Sequence, residues 1–334
     1  MEITLYELAD KINGKIISNH NRDIILSGTC AIERYIENRI TFARDKEFGK
    51  KVSNLRNAVI LIPQELSFLI DEYPDNTYIV VQDTDKTMMD LQDSFYGGNA
   101  LVQQSMISPS ARVARSAKLG DKVYIGENVY VGENSVIGYG TKIMSGSYIA
   151  DNVVIGKRSS IHPLSTCYNC IIGDDTVIRT GTRIGVDGFR FVQNYELKEV
   201  RKMIHVGAVE IGSRVEVGAN SVIQRSTFEG YPTTIGDDVK IACMIVIGHN
   251  TNIGARTIIT CHVMICGSNN IGEDVWIGAS AVISNGVTLG NRAKVLINAV
   301  VVNDVPDDGM VSGFYAMPHR QWKQVYRKFL SEVD

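Results

Sequence analysis

The chain has 334 residues, enough for two or three domains with a large buried core. Its 34 lysines and arginines nearly balance its 37 acidic residues, and the formal net charge of −3 argues against a nucleic-acid partner. Six cysteines are too few for a disulfide framework, nothing at the start resembles a signal peptide, and no apolar run is long enough for a transmembrane segment. We therefore expect a cytoplasmic protein with reduced thiols.

Residues 1–100 have the pattern of a separate α/β domain. Thr4 is a plausible N-cap for a short helix that Gly14 ends. The apolar runs "NAVILIP" and "NTYIVVQ" predict buried strands, and "DKTMMDLQDSFY" predicts a helix. Composition leaves open whether this domain is a cap or binds a ligand.

A six-residue repeat fills most of residues 101–313. A small aliphatic residue recurs at every sixth position, a period that fits neither an α-helix nor an alternating strand. It predicts a solenoid in which each aliphatic side chain points to the axis and three hexads form one coil. The phase slips by one near Cys167, and Glu229 alone fills an aliphatic position. Roughly 29 positions predict between nine and ten coils. The run begins with Ile107, Val113, Leu119, Ile125, Val131, Ile137, Ile143, Ile149, Ile155 and Ile161, continues with Ile172, Ile178 and Ile184, and resumes from Ile211 to Val301.

The repeat is interrupted by a loop at 185–210, "GVDGFRFVQNYELKEVRKMIHVGAVE", which we call the insert. A loop this long between regular coils is normally functional or disordered. Its Phe189, Arg190 and Phe191 could hold an acyl chain or a sugar phosphate. Alternatively, the loop only covers a neighbouring subunit.

The last segment, 314–334, predicts an amphipathic helix. Trp322, Val325 and Phe329 form its apolar stripe, and basic residues lie on the other face. The basic face could receive an acidic acyl carrier protein. A solvent-exposed face on a helix that packs in an oligomer explains the pattern equally well.

His249, in "IGHNTNIG", is the strongest candidate for chemistry because it interrupts a regular hexad at a corner, where its side chain would project outward. Such a histidine can accept a proton from a nucleophile that attacks a thioester. A backbone N–H near Gly267, one coil further on, could stabilise the oxyanion. A lone histidine without a positioned partner is, however, more often an ordinary polar corner residue.

The cysteines do not predict a metal site. Cys167 and Cys170 form a C-x2-C pair, but the other candidate ligands, Cys261, His262 and Cys266, lie about five coils away. We interpret the cysteines as small apolar fillers and expect no metal.

The order of these pieces resembles the UDP-3-O-acylglucosamine N-acyltransferase family: an α/β domain, a hexad rod, the "GVDGFRF" loop, "VEVGAN", "IGHN" and "MPHRQW" before a helix. The resemblance covers nearly the whole chain. It implies a mainly β protein, a left-handed parallel β-helix that assembles as a homotrimer. It also implies transfer of an acyl group to the amine of a nucleotide-linked amino sugar. The donor would be an acyl-phosphopantetheine, on acyl carrier protein or as acyl-CoA, with no bound cofactor.

The same resemblance assigns roles to individual residues. His249 matches the family's general base. Phe42 and Phe48 match the aromatics that stack on uridine, and Asp45 stands where an amide is typical. The remaining expected substrate contacts are Phe189, Arg190, Phe191, Arg225 and Asn250.

Several positions depart from the family pattern. Ala242 and Cys243 replace an Asp-Asn pair before the histidine, Gly286 replaces a second histidine, and Gln224 replaces an acid. Three readings therefore stay open. The first is the lipid A reaction, and the second is a short-chain acyl-CoA enzyme for a UDP- or dTDP-linked deoxyamino sugar of O antigen. The third is a non-catalytic trimeric scaffold that binds a sugar nucleotide.

Overall fold

The computed structural model describes residues 2–17, 24–96, 105–313 and 316–331. The chain divides into two compact units, Met1–Val102 and Gln103–Asp334. No helix in the described part of the chain combines the length and the apolar character needed to cross a membrane.

The N-terminal unit is built around a four-stranded mixed sheet. Its strands, in spatial order, are β2 (Lys15–Ile17), β6 (Thr77–Val81), β5 (Val59–Pro63) and β4 (Ile40–Phe42). The predicted first helix is confirmed: Thr4 and Glu7 form a reciprocal capping box at its start. The predicted strands are the two central ones, β5 and β6, which are largely buried because helices and loops cover both faces. The elements are β1 (Ile3–Thr4), α1 (Leu5–Lys11), β2 (Lys15–Ile17), β3 (Ile25–Leu26), β4 (Ile40–Phe42), α2 (Lys46–Gly49), β5 (Val59–Pro63), α3 (Phe68–Glu72), β6 (Thr77–Val81) and α4 (Thr84–Tyr96).

The second unit is a left-handed parallel β-helix, which confirms the predicted solenoid. Three parallel sheets of 11, 10 and 9 strands form its flat faces. Before the insert the strands are β7 (Met106–Ile107), β8 (Arg112–Val113), β9 (Lys118–Leu119), β10 (Tyr124–Ile125), β11 (Tyr130–Val131), β12 (Val136–Ile137), β13 (Lys142–Ile143), β14 (Tyr148–Ile149), β15 (Val154–Ile155), β16 (Ser160–Ile161), β17 (Thr166–Cys167), β18 (Cys170–Ile172), β19 (Val177–Ile178) and β20 (Arg183–Val186).

The loop predicted at 185–210 contains an antiparallel hairpin, β21 (Phe191–Asn194) and β22 (Glu199–Lys202). The rod resumes after it and ends before α5 (His319–Ser331), which lies within the predicted C-terminal segment. The later strands are β23 (Val209–Ile211), β24 (Glu216–Val217), β25 (Val222–Gln224), β26 (Thr233–Ile235), β27 (Lys240–Ile241), β28 (Val246–Ile247), β29 (Asn252–Ile253), β30 (Ile258–Ile259), β31 (Met264–Ile265), β32 (Asn270–Ile271), β33 (Trp276–Ile277), β34 (Val282–Ile283), β35 (Thr288–Leu289), β36 (Lys294–Val295), β37 (Val300–Val301) and β38 (Met310–Val311).

The dry axis explains the six-residue period. Ile125, Ile143 and Ile161 stack in register on successive coils and are fully buried. Burying one such side chain stabilises the fold by about 1.5–3 kcal/mol. Small hydroxyl residues close the corners. Ser135, for example, donates to the Ala150 carbonyl and accepts from the Val153 N–H of the next coil.

The predicted phase slip near Cys167 is confirmed: Cys167 occupies an axial position and is fully buried, so the slip falls between it and Ile172. One detail of the predicted register is wrong. Glu229 does not fill an axial position: it is exposed in a loop between β25 and β26. The physical reason is that a carboxylate in the dry axis would lose its hydration without gaining a partner.

A column of alternating charges runs along one corner of the rod. All eight residues adopt the left-handed conformation, with φ between +55° and +61°. Each arginine forms a two-pronged ion pair with the aspartate of the next coil, at distances of 2.5 to 2.9 Å. We call this column the charge ladder; it consists of Arg158, Asp175, Arg214, Asp238, Arg256, Asp274, Arg292 and Asp308. Because the sign alternates, a slip of one coil would place like charges together, so the ladder favours the native register.

Replacing Asp274 tests the ladder. Asp274→Arg would place three arginines in succession, whereas Asp274→Asn only removes the attraction. At low salt we expect the arginine variant to melt a few degrees below the asparagine variant. Added sodium chloride should narrow this gap because it screens repulsion between exposed charges. Equal melting temperatures for the two variants at low salt would contradict the ladder's role.

Candidate active site

His249 lies on the corner after β28, and its hydrogen bonds determine its tautomer. Its Nδ1 is 2.9 Å from Asn250 Oδ1. The same oxygen accepts from the Thr227 backbone N–H at 3.1 Å, so the atom must be the carboxamide oxygen rather than its nitrogen. Nδ1 therefore carries the hydrogen, and in the neutral ring Nε2 holds the lone pair. This is the tautomer that a general base acting through Nε2 requires.

Asn250 lies beneath the histidine and is not placed to touch a substrate, which corrects the expectation from the resemblance. Only 7% of the residue is exposed, and its backbone N–H donates to Thr233 Oγ1 at 2.9 Å. Its buried side chain orients His249 from below. It thus supplies the partner that the sequence lacks at Ala242. The signal in the sequence was the asparagine directly after His249, a residue type that tolerates the left-handed conformation found here, φ +58°.

Gly267 lies directly against the imidazole one coil further on. A Cβ added to Gly267 would lie 2.8 Å from both Nε2 and Cε1 of His249, so any other residue would displace the ring. The expectation of a free oxyanion donor at this position is wrong, because the Gly267 N–H donates to Asn285 Oδ1 at 2.9 Å. Sequence reasoning missed Asn285, although it stands exactly one coil after Gly267 and beside Gly286.

Arg225 fastens the insert to the rod instead of presenting a free cation. Its side chain is 19% exposed and contacts Asp187 Oδ1 through Nε at 2.8 Å and through Nη2 at 2.7 Å. Lys202, from the hairpin, contacts the other carboxylate oxygen at 2.5 Å. Hydrogen bonds from Lys202 and then from Arg225 hold the pKa of Asp187 below its ordinary value.

The insert also brings a second histidine to the site. His205 is fully buried, and its ring meets that of His249 edge to face, with centroids 5.5 Å apart. The sequence contained no periodic signal for this residue because it lies outside the repeat.

The aromatic residues of the insert are exposed. Phe189 and Phe191 contact each other with ring centroids 4.8 Å apart, and 82% of Phe189 is exposed. Arg190 between them is exposed too, and its carbonyl accepts from the Met203 N–H. These three side chains stay predictions as substrate contacts.

The predicted nucleotide residues lie together in the N-terminal unit. Phe42 and Phe48 are stacked with centroids 6.1 Å apart, and Arg44 and Lys51 lie over the Phe48 ring. Asp45 caps α2: its Oδ1 accepts from the Phe48 N–H, and this hydrogen bond lowers the pKa of the carboxyl. One oxygen of Asp45 is therefore already engaged by the backbone.

The interpretation of the cysteines as apolar fillers holds for Cys167 and Cys170 but is wrong for Cys261, which is exposed, and Cys266 is only partly buried. Cys167 and Cys170 are buried, and contact with the Cys167 thiol together with burial raises the pKa of Cys170, which favours the thiol. Among the residues that the structure describes, no three His, Cys, Asp or Glu side chains are grouped to hold a metal ion.

Comparison with known proteins identifies relatives in the family that the sequence resembles. The chain is 30% identical over 259 residues to UDP-3-O-acylglucosamine N-acyltransferase 1 of Francisella tularensis subsp. tularensis (strain SCHU S4), covering 74% of this chain and 71% of the relative. It is 32% identical over 244 residues to UDP-3-O-acylglucosamine N-acyltransferase of Marinomonas sp. (strain MWYL1), covering 72% and 67%. The chain belongs to this N-acyltransferase family. It is an acyltransferase.

Two family models and a solved structure agree with the rod. Residues 101–200 match the GMPPB C-terminal domain, and residues 208–243 and 269–302 match the hexapeptide repeat of succinyl-transferase. The crystal structure of Arabidopsis UDP-N-acetylglucosamine acyltransferase superposes with a TM-score of 0.56 at 24% identity. The superposed region covers 62% of this chain and 71% of the Arabidopsis chain. This likeness concerns the fold alone and agrees with the β-helix described above.

The Asp187 contacts predict how firmly the insert is held. Folding lowers the pKa of Asp187, so its carboxylate is fully charged, and the anchoring complete, above the ordinary pKa of an aspartate. It declines as the pH falls below that value and is lost once the pH passes the lowered pKa. At pH 7, Asp187→Asn should release the hairpin, and trypsin should cleave after Lys198 and Arg201 several-fold faster. Glu196→Gln, an exposed change on the same hairpin, is the control; equal cleavage rates for both variants would contradict the anchoring.

Proposed function

We propose that this acyltransferase moves an acyl group from a phosphopantetheine thioester to the amine of a nucleotide-linked amino sugar, with His249 as the general base. The observation that carries the proposal is the histidine's tautomer: Nδ1–H is held by Asn250 Oδ1, and Nε2 holds a lone pair. The names of the relatives, which are UDP-3-O-acylglucosamine N-acyltransferases, support the substrate class.

The proposed chemistry uses one proton carrier. The amine nitrogen attacks the thioester carbonyl while His249 Nε2 removes a proton from it. The C–N bond forms, the C–S bond of the tetrahedral intermediate breaks, and the leaving thiolate takes the proton back from Nε2. Asn250 keeps the ring oriented throughout, because its oxygen accepts the Nδ1 hydrogen in both the neutral and the protonated state.

We place the oxyanion donor on Asn285 rather than on Gly267. The Gly267 N–H holds the Asn285 carboxamide by its oxygen, so the Asn285 NH2 group is directed away from that bond and can donate. Gly267 lies between Asn285 and the His249 ring, so the fixed amide is held one coil beyond the residue that touches the proposed base. A fixed donor of this kind can stabilise a tetrahedral oxyanion.

The N-terminal unit supplies the proposed nucleotide site. Because Phe42 and Phe48 already contact each other, a pyrimidine base would stack on an outer face or separate the two rings. Next to them, a cavity of about 580 Å³ is lined by Arg34, Lys51 and Arg56, among others. These cations suit a diphosphate, and the exposed ion pairs that Lys51 and Arg56 now make are weak enough to exchange.

We further propose a homotrimer, because the insert carries a large exposed apolar surface that a second copy would cover. Six apolar residues of the insert have more than half of their surface exposed: Phe189, Val192, Tyr195, Leu197, Val200 and Ile204. A monomer in sedimentation equilibrium at micromolar concentration would contradict the trimer. Two partners fit α5: its basic face suits an acyl carrier protein, and its apolar face suits another copy of this chain.

Substitution of the base tests the chemistry. His249→Ala should lower kcat by about 10²–10⁴-fold, and Asn285→Ala by about 10²-fold, each with little change in KM. The assay pairs acyl carrier proteins and acyl-CoAs of different lengths with several nucleotide amino sugars, so it also identifies the donor. His262→Ala, an exposed histidine on another corner, is the matched control. Full activity of His249→Ala with every competent donor would show that the base is wrong.

Nucleotide binding is tested separately from turnover. UDP- and dTDP-linked amino sugars should raise the melting temperature of the wild type, and Phe48→Ala should abolish the increase because it removes the stacking surface. Phe68→Ala, an exposed aromatic of the same unit, is the control. No increase with any nucleotide would refute the stacking site. An increase without turnover for any donor would favour the alternative of a sugar-nucleotide-binding scaffold.

A further inference from the structure

His205 is a buried histidine that the proposed chemistry does not use. It lies in the segment between β22 and β23 and is 0% exposed. Its Nδ1 is 3.1 Å from the Met203 carbonyl oxygen, which can only accept, so Nδ1 carries the hydrogen. Nε2 is then a buried acceptor, and no described residue donates to it. Burying an unpaired acceptor is costly, which indicates that the position serves something other than stability.

The surroundings of His205 connect it to the base. Its ring meets the His249 ring at an angle of 72°. Gly188 lies against both: a Cβ added there would be 2.9 Å from His205 Nε2, from His249 Cδ2 and from Gln224 Oε1. On its other edge, His249 lies against Gly267. The imidazole of the base is therefore held between two glycine backbones, and His205 closes the side formed by the insert.

Burial is the main reason that the His205 ring stays neutral. It lowers the pKa of His205, and the Lys202 ammonium and a protonated His249 lower it further. The Met203 carbonyl and the Asp187 carboxylate act in the opposite direction, and Arg225 partly neutralises Asp187. A neutral His205 places a lone pair, not a second positive charge, beside His249 when that ring becomes an imidazolium.

We propose that His205 is a positioning residue for acyl transfer: its ring holds the His249 imidazole in the plane that directs Nε2 to the reacting amine. This inference rests on the proposed function, because it needs His249 to be the base. It also gives the insert a role in the reaction. The segment anchored by Asp187 carries both Gly188 and His205, so the position of the insert sets the orientation of the base.

Three variants separate the ring from its hydrogen bond. In His205→Asn, the side-chain amide reaches the place of Nδ1 and retains the bond to Met203, but the ring edge is lost. His205→Phe retains the ring and loses the hydrogen bond. His262→Asn makes the same change on an exposed histidine and serves as the control.

Two measurements are made on each variant of the full chain. The first is the NMR titration of the His249 Cε1–H signal, which needs no turnover. The second is kcat and KM. We expect His205→Asn to shift the His249 signal and its titration midpoint, and to lower kcat about 10- to 100-fold with KM unchanged. His205→Phe should retain more of the rate than His205→Asn.

An unchanged His249 titration in His205→Asn would overturn the proposal, whatever happens to the rate. So would a rate lower in His205→Phe than in His205→Asn, because the hydrogen bond rather than the ring would then matter. If instead His249→Ala retains full activity while the titration still responds to His205, the proposed function fails and the contact between the rings stands. The two failures are therefore distinguishable.

Discussion

The register of the coils is the constraint on which the whole active site depends. The aliphatic residues that fill the axis keep every coil in the same register, so residues one coil apart lie directly over one another. His249, Gly267 and Asn285 belong to one such column and are spaced 18 residues apart, as the Gly267–Asn285 hydrogen bond confirms. Packing along the dry axis therefore also fixes the positions of the residues that form the proposed catalytic group. The charge ladder on another corner supports the same register with opposite charges.

Segments that leave the repeat complete the site. The loop between β25 and β26 contributes Thr227, whose N–H identifies the Asn250 oxygen, and the insert contributes Gly188 and His205. These segments do not bury aliphatic side chains in the axis, so their positions depend on specific polar contacts. The most important is Asp187, held from the rod by Arg225 and from the hairpin by Lys202. The position of the proposed base therefore depends both on the rigid column of stacked coils and on the insert that Asp187 anchors.

The departures from the family pattern fall at the polar partners of His249, the proposed base. The family's acidic residue before the histidine is Ala242 here, and Asn250 Oδ1 receives the Nδ1 hydrogen instead. A neutral carboxamide orients the imidazole but stabilises an imidazolium less than a carboxylate does. The position of the family's second histidine is Gly286, and the neighbouring Asn285 provides an amide. Both changes replace charged or titratable groups with neutral ones, so the electrostatics of the site differ from the family pattern.

The sequence by itself determined the solenoid and the place of the proposed base. A strict six-residue period has one physical solution, an aliphatic axis with tight corners, and a histidine that interrupts it must project outward. The capping box at Thr4 and the strands β5 and β6 follow from equally local rules. Only the tertiary structure decided which polar groups meet. Asn250 lies under the base and not toward a substrate, the Gly267 N–H is occupied, Arg225 binds Asp187, and His205 contacts His249. Such pairings depend on side-chain directions between coils and on the path of aperiodic loops, and neither leaves a periodic signal in the sequence.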